Sequence, residues 1–268
     1  MLKSHKKAAV CLLLAAVVIC GGIFAHNLNT YIRQTEDARE AARQAELMRQ
    51  IIAEHNEAMV MRHAYSVTVE HDRSSTDKDE VQLSPIIAAR EAAENDDIVA
   101  YIYIPHADIK YAVAHGTDNE FYLHHDLLRR RSASGSIFLD YACSPDFTSR
   151  SSIIYGHNMR NGTKFSNLAM FLNEEFFTEN RYITLTALHD VLRYEVFSVF
   201  ETHISFNYIQ VEFYDDAEFL TLIHEIKERS VHSGGSDITG DDRILILSTC
   251  TGPQGGDYRL VVAARLLE

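Results

Sequence analysis

The chain has 268 residues, 46% of them hydrophobic, and a formal net charge of −13. That is enough apolar material for one good-sized core, with a second domain possible but not demanded. The negative charge argues against a nucleic-acid partner, whose phosphates such a surface would repel, and tryptophan is absent.

Residues 1–7 carry Lys3, Lys6 and Lys7 and no acid, and Ala8 to Ala25 is an uncharged apolar run of 18 residues. That length is about the minimum for a helix to cross a bilayer. The positive-inside rule then expects a cytoplasmic tail over 1–7, a single-pass signal anchor over 8–25 and an extracellular remainder. A cleaved signal peptide fits less well: its apolar region is usually shorter, and Ile23 is bulky for a position that a cleavage after Ala25 needs small. Lipoprotein processing at Cys20 is disfavoured by the bulk of Ile19.

Asn27 to His63 is rich in Ala, Glu, Arg, Gln and Met, most densely from Thr35 to Ile52, and predicts a solvated helical stalk. His71 to Gln82, rich in Ser, Asp and Lys, predicts a flexible joint, so residues 26–83 form a stalk and linker. A second helix starts at Ser84 as N-cap with Pro85 in the first turn and runs to about Glu94.

Beyond it the period shortens. Ile98–Ile104, Ile109–Ala114, Ser136–Leu139, Ser152–Tyr155, Tyr182–Thr186 and Val191–Phe200 are β-branched or aromatic runs separated by turn residues. Asp215 to Arg229 predicts a helix with Phe219, Leu222, Ile223 and Ile226 on one face. Ile244–Thr249 and Arg259–Leu266 close the chain as strands. About eight strands, with one helix inserted before the last pair, predict a mainly β fold, a closed barrel rather than alternating βαβ units.

Cys250 ends the first of those last strands, and Arg259 begins the second after a loop containing three glycines. A thiol needs a base or a cation beside it to act as a nucleophile. Among 14 histidines, His157 has the fitting position, directly after the strand Ser152–Tyr155 and Gly156. Cys250 as nucleophile, His157 as general acid/base and Arg259 as a permanent cation form a candidate acyl-transfer trio. At reference pKa values of about 8.5 and 6.5, an unperturbed thiol and imidazole are mostly uncharged at pH 7. A Cys143–Cys250 disulfide is the plain alternative in an oxidising exterior. No Cys/His spacing matches a zinc site, and no cofactor motif is present.

TyrGlyHisAsnMet at 155–159, LeuSerThrCys at 247–250 and ArgLeuValVal at 259–262, behind an apolar N-terminal run, resemble a sortase. ThrAspAsnGluPheTyrLeuHisHisAsp at 117–126, GlySerIlePheLeuAspTyr at 135–141 and the helix before the cysteine strand are similar to class B sortases, over roughly residues 84–268. The resemblance implies an eight-stranded sortase-type barrel at 84–268. It also implies a cysteine transpeptidase on the outer face of a Gram-positive cell membrane, with no cofactor. Such an enzyme cleaves an Asn-Pro-x-Thr-x sorting signal after Thr and passes the thioacyl-linked surface protein to a peptidoglycan amine. Cys250, His157 and Arg259 take the family's catalytic positions; Asn119, Leu123, Tyr208, Ile209 and Ser248 take positions lining its peptide groove. Two other readings stay open on the residues alone: an extracellular cysteine protease or amidase that only hydrolyses, and a non-catalytic tethered interaction module.

Overall fold

The computed structural model describes residues 20–33, 35, 36, 39, 43, 50, 85–232, 234, 237–251 and 256–267. The chain divides into two units, Met1–Ala42 and Arg43–Glu268. In the first, residues 20–33 are helical (α1).

The single-pass anchor expected over 8–25 is corrected here, and with it the cell-membrane placement and the membrane as a partner. Among the described residues, no helix is long and apolar enough to cross a membrane. Residues 8–19 lie outside the described residues, and 20–25 continue into a helix carrying His26, Asn27, Asn29, Thr30 and Arg33, side chains that hydrocarbon does not solvate. Of the stalk and joint expected over 26–83, only residues 26–33, 35, 36, 39, 43 and 50 are among the described residues.

In the second unit, α2 (Pro85–Ala93) precedes β1 (Ile98–Ile104), β2 (Ile109–His115), α3 (Phe121–His124), β3 (Ile137–Leu139) and β4 (Ser151–Tyr155). A 3-10 helix (Ser166–Leu172), α4 (Glu174–Glu179), β5 (Tyr182–Ala187), β6 (Val191–His203), α5 (Asp216–Arg229), β7 (Ile244–Cys250) and β8 (Tyr258–Leu266) follow. The strands close into a barrel in the order β1-β2-β3-β4-β7-β8-β6-β5. The pairs β2–β3 and β4–β7 are parallel and the others antiparallel. Closure removes the unpaired edges that an open sheet of this size would expose.

Strand β6 runs three residues past the expected Phe200. It pairs with β8 from Tyr194↔Leu266 to His203↔Tyr258, and that ladder carries the polar residues Glu201, Thr202 and His203 into the sheet. The parallel β4–β7 pair needs a long crossover, and the chain between them supplies β5, β6 and the helices.

The apolar runs are buried on both faces because the barrel is filled inside and covered outside. On one side, Ile86 and Ala89 of α2 pack with Ile98, Tyr101, Ala112, Ala114 and Tyr122. Helix α5 supplies a second cover, burying Phe219, Leu222, Ile223 and Ile226. Its N-cap Asp215 accepts from the Glu218 amide, with acids in the first turn and Lys227 and Arg229 in the last, which matches the helix dipole at both ends. Ser198 Oγ donates to the Ile226 carbonyl at 3.0 Å, so the β6 face bearing Ser198 is the one under α5. Alternation along the strand puts Phe200 and Thr202 on that face too. Through the register, so are Val261 and Ser248, and Arg259 and Cys250.

Candidate active site

Strand β7 is buried from Ile244 to Thr249 and emerges only at Cys250. The pattern of an apolar run ending in a polar turn thus delivers one thiol to the rim of the barrel. Cys250 pairs directly with Arg259 across the β7–β8 ladder, and Arg259 in turn with Thr202. Facing residues of an antiparallel pair bring their Cβ atoms to about 4.5–5.5 Å, so Cys250 and Arg259 share one rung. The ladder continues with Thr251 N donating to the Tyr258 carbonyl at 3.1 Å. Arg259 Nη1 donates to the carbonyls of Gly256 and Tyr258 at 2.8 and 2.9 Å, which ties the guanidinium to the end of the β7–β8 loop. Residues 252–255 of that loop lie outside the described residues.

Strand β4 brings the histidine alongside. Tyr155 pairs with Ser248, and the Gly156 amide donates to the Ser248 carbonyl at 3.2 Å. Asn158 Nδ2 then donates to the Cys250 carbonyl at 2.8 Å, so the His157 segment is tied on both sides to the cysteine strand. Gly156 is required there for space: a Cβ would meet Ile137 Cδ1 at 2.4 Å and the Phe165 ring at 2.8 Å.

His157 Nε2 lies 2.8 Å from the Leu123 carbonyl oxygen. A carbonyl only accepts, so Nε2 carries the proton and Nδ1 is the ring nitrogen left to gain or lose one. Burial holds the imidazole below its ordinary value, the Leu123 bond works against that shift, and His124 and Lys164 push it further down. Lys164 is itself buried and lies with its ammonium 5.5 Å from the centre of the Tyr111 ring. It is folded back beside His157 by the Asn158↔Lys164 bridge and by Phe165 N donating to the His157 carbonyl at 3.0 Å.

Of the five groove positions expected from sequence, two meet directly: Tyr208 OH and Ser248 Oγ are 2.9 Å apart and both side chains are buried. Burial raises the Tyr208 pKa, the Ser248 bond and Arg259 oppose the rise, and Cys250 adds to it. Asn119 donates from Nδ2 to Asp140 Oδ2 at 2.9 Å and accepts from the Tyr141 amide at 3.1 Å. Leu123 acts on the site through its carbonyl, while Ile209 is exposed beside Tyr208.

Asp140 and Tyr155 fall inside the motifs at 135–141 and 155–159, but the sequence assigned neither an individual role. Tyr155 OH donates to Asp140 Oδ2 at 2.8 Å and the Ala142 amide to Oδ1 at 2.9 Å. Burial first, and then the Asp140 carboxylate, push the Tyr155 hydroxyl pKa up. The available cue was an acid directly after the apolar run IlePheLeu at 137–139, a place where a carboxylate must find donors or disrupt the fold.

Cys143 and Cys250 are both free thiols, so they do not form a disulfide. The Cys143 thiol is buried and receives the Ile153 amide at 3.4 Å. Burial pushes its pKa up to about 12, which leaves it inert at neutral pH. Among the described residues, no group of His, Cys, Asp and Glu is placed to hold a metal ion. A rim thiol on the same rung as an arginine, with a half-buried imidazole just past the end of the adjoining strand, is suited to nucleophilic attack on an acyl carbon.

The family model described as the sortase domain matches residues 102–267. Sortase B of Listeria monocytogenes is 33% identical over 176 residues, 65% of this chain and 71% of that protein. Sortase B of Staphylococcus aureus is 30% identical over 175 residues, covering 65% and 72%. Among solved structures, a Staphylococcus aureus sortase B–substrate complex superposes with a TM-score of 0.69 at 27% identity, over 87% of this chain and 99% of that one. Clostridium perfringens sortase B does so with a TM-score of 0.62 at 33% identity, over 67% and 100%.

Proposed function

The chain belongs to the sortase family, in its class B of cysteine transpeptidases, and from that premise we propose which residues do the chemistry and on what. The catalytic domain is residues 84–268, with Cys250 as nucleophile, His157 as general acid/base and Arg259 as the oxyanion or substrate clamp. The substrate is a surface protein carrying an Asn-Pro-x-Thr-x sorting signal, and the acceptor is an amine of a peptidoglycan precursor.

In the first half, the Cys250 sulfur bonds to the Thr carbonyl carbon, and the Arg259 guanidinium and nearby amides draw off the charge on oxygen. As the tetrahedral centre collapses, the C–N bond breaks and His157 gives its proton to the departing amine. In the second half, the acceptor amine attacks the thioester, its proton passes to His157, and the C–S bond breaks to release the thiolate. A thioester reacts readily with amines, which suits a transfer that must compete with water. Asn119, Leu123, Tyr208, Ile209 and Ser248 line the peptide groove; Tyr208 and Ser248 form its buried floor next to the thiol.

The observation that carries this reading is the shared rung of Cys250 and Arg259, with Asn158 tying the His157 segment to the cysteine carbonyl. The test is cleavage of an Asn-Pro-x-Thr-containing peptide with an added amine. Cys250→Ala is expected to abolish turnover, His157→Ala and Arg259→Ala to nearly do so, and the wild type to yield amide as well as acid. Retained turnover in Cys250→Ala would refute the assignment; acid alone would favour a hydrolase.

A further inference from the structure

The four carbonyls at the end of α3 each have a defined partner. A helix end leaves such groups without intrahelical donors, and here the turn at residues 132–136 satisfies three of them. Ser136 N donates to the Tyr122 carbonyl at 2.8 Å, Ser132 N to that of His124 at 2.8 Å, and Ser136 Oγ to that of His125 at 2.9 Å. The remaining one, Leu123, is the carbonyl that receives His157 Nε2.

Gly135 sits at the centre of that turn with a φ of +53°, and a Cβ placed there would lie 2.5 Å from Leu123 O and 2.7 Å from Tyr122 O. Both are backbone atoms, so no side-chain rotation relieves the clash. The helix has no room to retreat. Tyr122 is fully buried, its hydroxyl donates to Asp97 and it receives Asn95 Nδ2 at 2.9 Å. Any added bulk at 135 therefore displaces the Leu123 carbonyl directly, or opens the turn that holds the carbonyls of Tyr122, His124 and His125 on either side of it.

We propose that Gly135 is a positioning residue for the transfer reaction: its backbone fixes the Leu123 carbonyl, and that carbonyl fixes the ring orientation and the Nε2–H tautomer of His157. This rests on His157 being the general acid/base. A misplacement of order 1 Å at such a group costs up to about 100-fold in rate. The charged and titratable groups beside the ring are His124 and Lys164, with Cys250 and Arg259 on the adjoining strands.

The test compares Gly135→Ala with Gly162→Ala in the full chain. Gly162 also has a positive φ, +80°, but a Cβ there meets nothing within 4 Å, so it carries the same kind of backbone strain without the clash. The expected result for Gly135→Ala is a fall in kcat of about 10- to 100-fold with KM within about twofold. The acid limb of kcat/KM also moves to lower pH, because loss of the carbonyl acceptor disfavours the imidazolium. Gly162→Ala keeps the wild-type limb. An unchanged limb in Gly135→Ala, or an equal shift in Gly162→Ala, overturns the proposal. Nitrogen NMR of His157 in the wild type needs neither variant to fold nor any activity: neutral-ring Nε2–H is expected, and Nδ1–H overturns the proposal. A wild type with the expected tautomer but no transpeptidation would instead sink the functional reading.

Discussion

Asp140→Asn perturbs the polar network that joins Asn119, Tyr155 and the Ala142 amide while leaving the side-chain volume almost unchanged. Asp140 is only 4% exposed, so water does not replace a lost partner. Its Oδ2 accepts from Asn119 Nδ2 and Tyr155 OH, and its Oδ1 from the Ala142 amide. An amide keeps one oxygen, for Ala142, and turns an NH2 toward the other two donors. The Tyr155 hydroxyl can rotate to accept, but Asn119 Nδ2 then faces another donor. With charge-assisted bonds contributing about 1.5–3 kcal/mol each, the net loss is about 2–4 kcal/mol. Urea unfolding at an m of about 2 kcal/mol/M then shows a midpoint lowered by about 1–2 M. Because Asn119 and Tyr155 lose their fixed orientation, peptide KM rises more than kcat falls. A midpoint within about 0.2 M of wild type, with KM unchanged, would show that the network does not hold the groove.

The acid limb of kcat/KM against pH is expected on the low side of the ordinary histidine range, since burial disfavours the His157 imidazolium. Lys164→Met removes a neighbouring cation and moves that limb upward; a downward move contradicts the electrostatic account. Tyr208→Phe leaves Ser248 Oγ buried without its partner, at a cost of about 1–2 kcal/mol. In a thermal melt that is a fall in Tm of about 3–6 °C, and no fall would mean the bond contributes nothing. Alkylation of the native protein at neutral pH, followed by peptide mapping, modifies Cys250 and spares Cys143, whose thiol is buried with a pKa of about 12. Equal modification of both would place Cys143 in a more open setting.

Strand positions were legible because each apolar run is short, β-branched and bounded by turn residues. Ile98–Ile104 falls on β1, and the apolar spacing of Phe219, Leu222, Ile223 and Ile226 identified the buried face of α5. The end of β6 was not, because Glu201 to His203 extend the strand only by virtue of pairing with Tyr258 to Leu260, a tertiary cause invisible in local pattern. The short α4 and the 3-10 helix were missed for a similar reason: they are too brief for a 3.6-residue period to register.

At the site, Cys250, Arg259 and His157 stood out because their residue types carry chemistry at strand ends. Asp140, Tyr155, Gly135 and the Leu123 carbonyl did not, because their contribution is to hold other groups. A backbone carbonyl leaves no trace in side-chain identity. The apolar run at 8–25 gave the one expectation overturned: composition set the length of the run, while the described helix continues through polar residues to Arg33.

If Cys250 is the nucleophile, a sorting-type peptide acylates its sulfur. Mass spectrometry of the intact protein, trapped with an Asn-Pro-x-Thr-containing peptide in the absence of an amine and mapped after digestion, tests it most directly. A thioacyl adduct ending at Thr is expected on Cys250, discharged when an amine is added. An adduct on another residue, or cleavage with no adduct on Cys250, would contradict it.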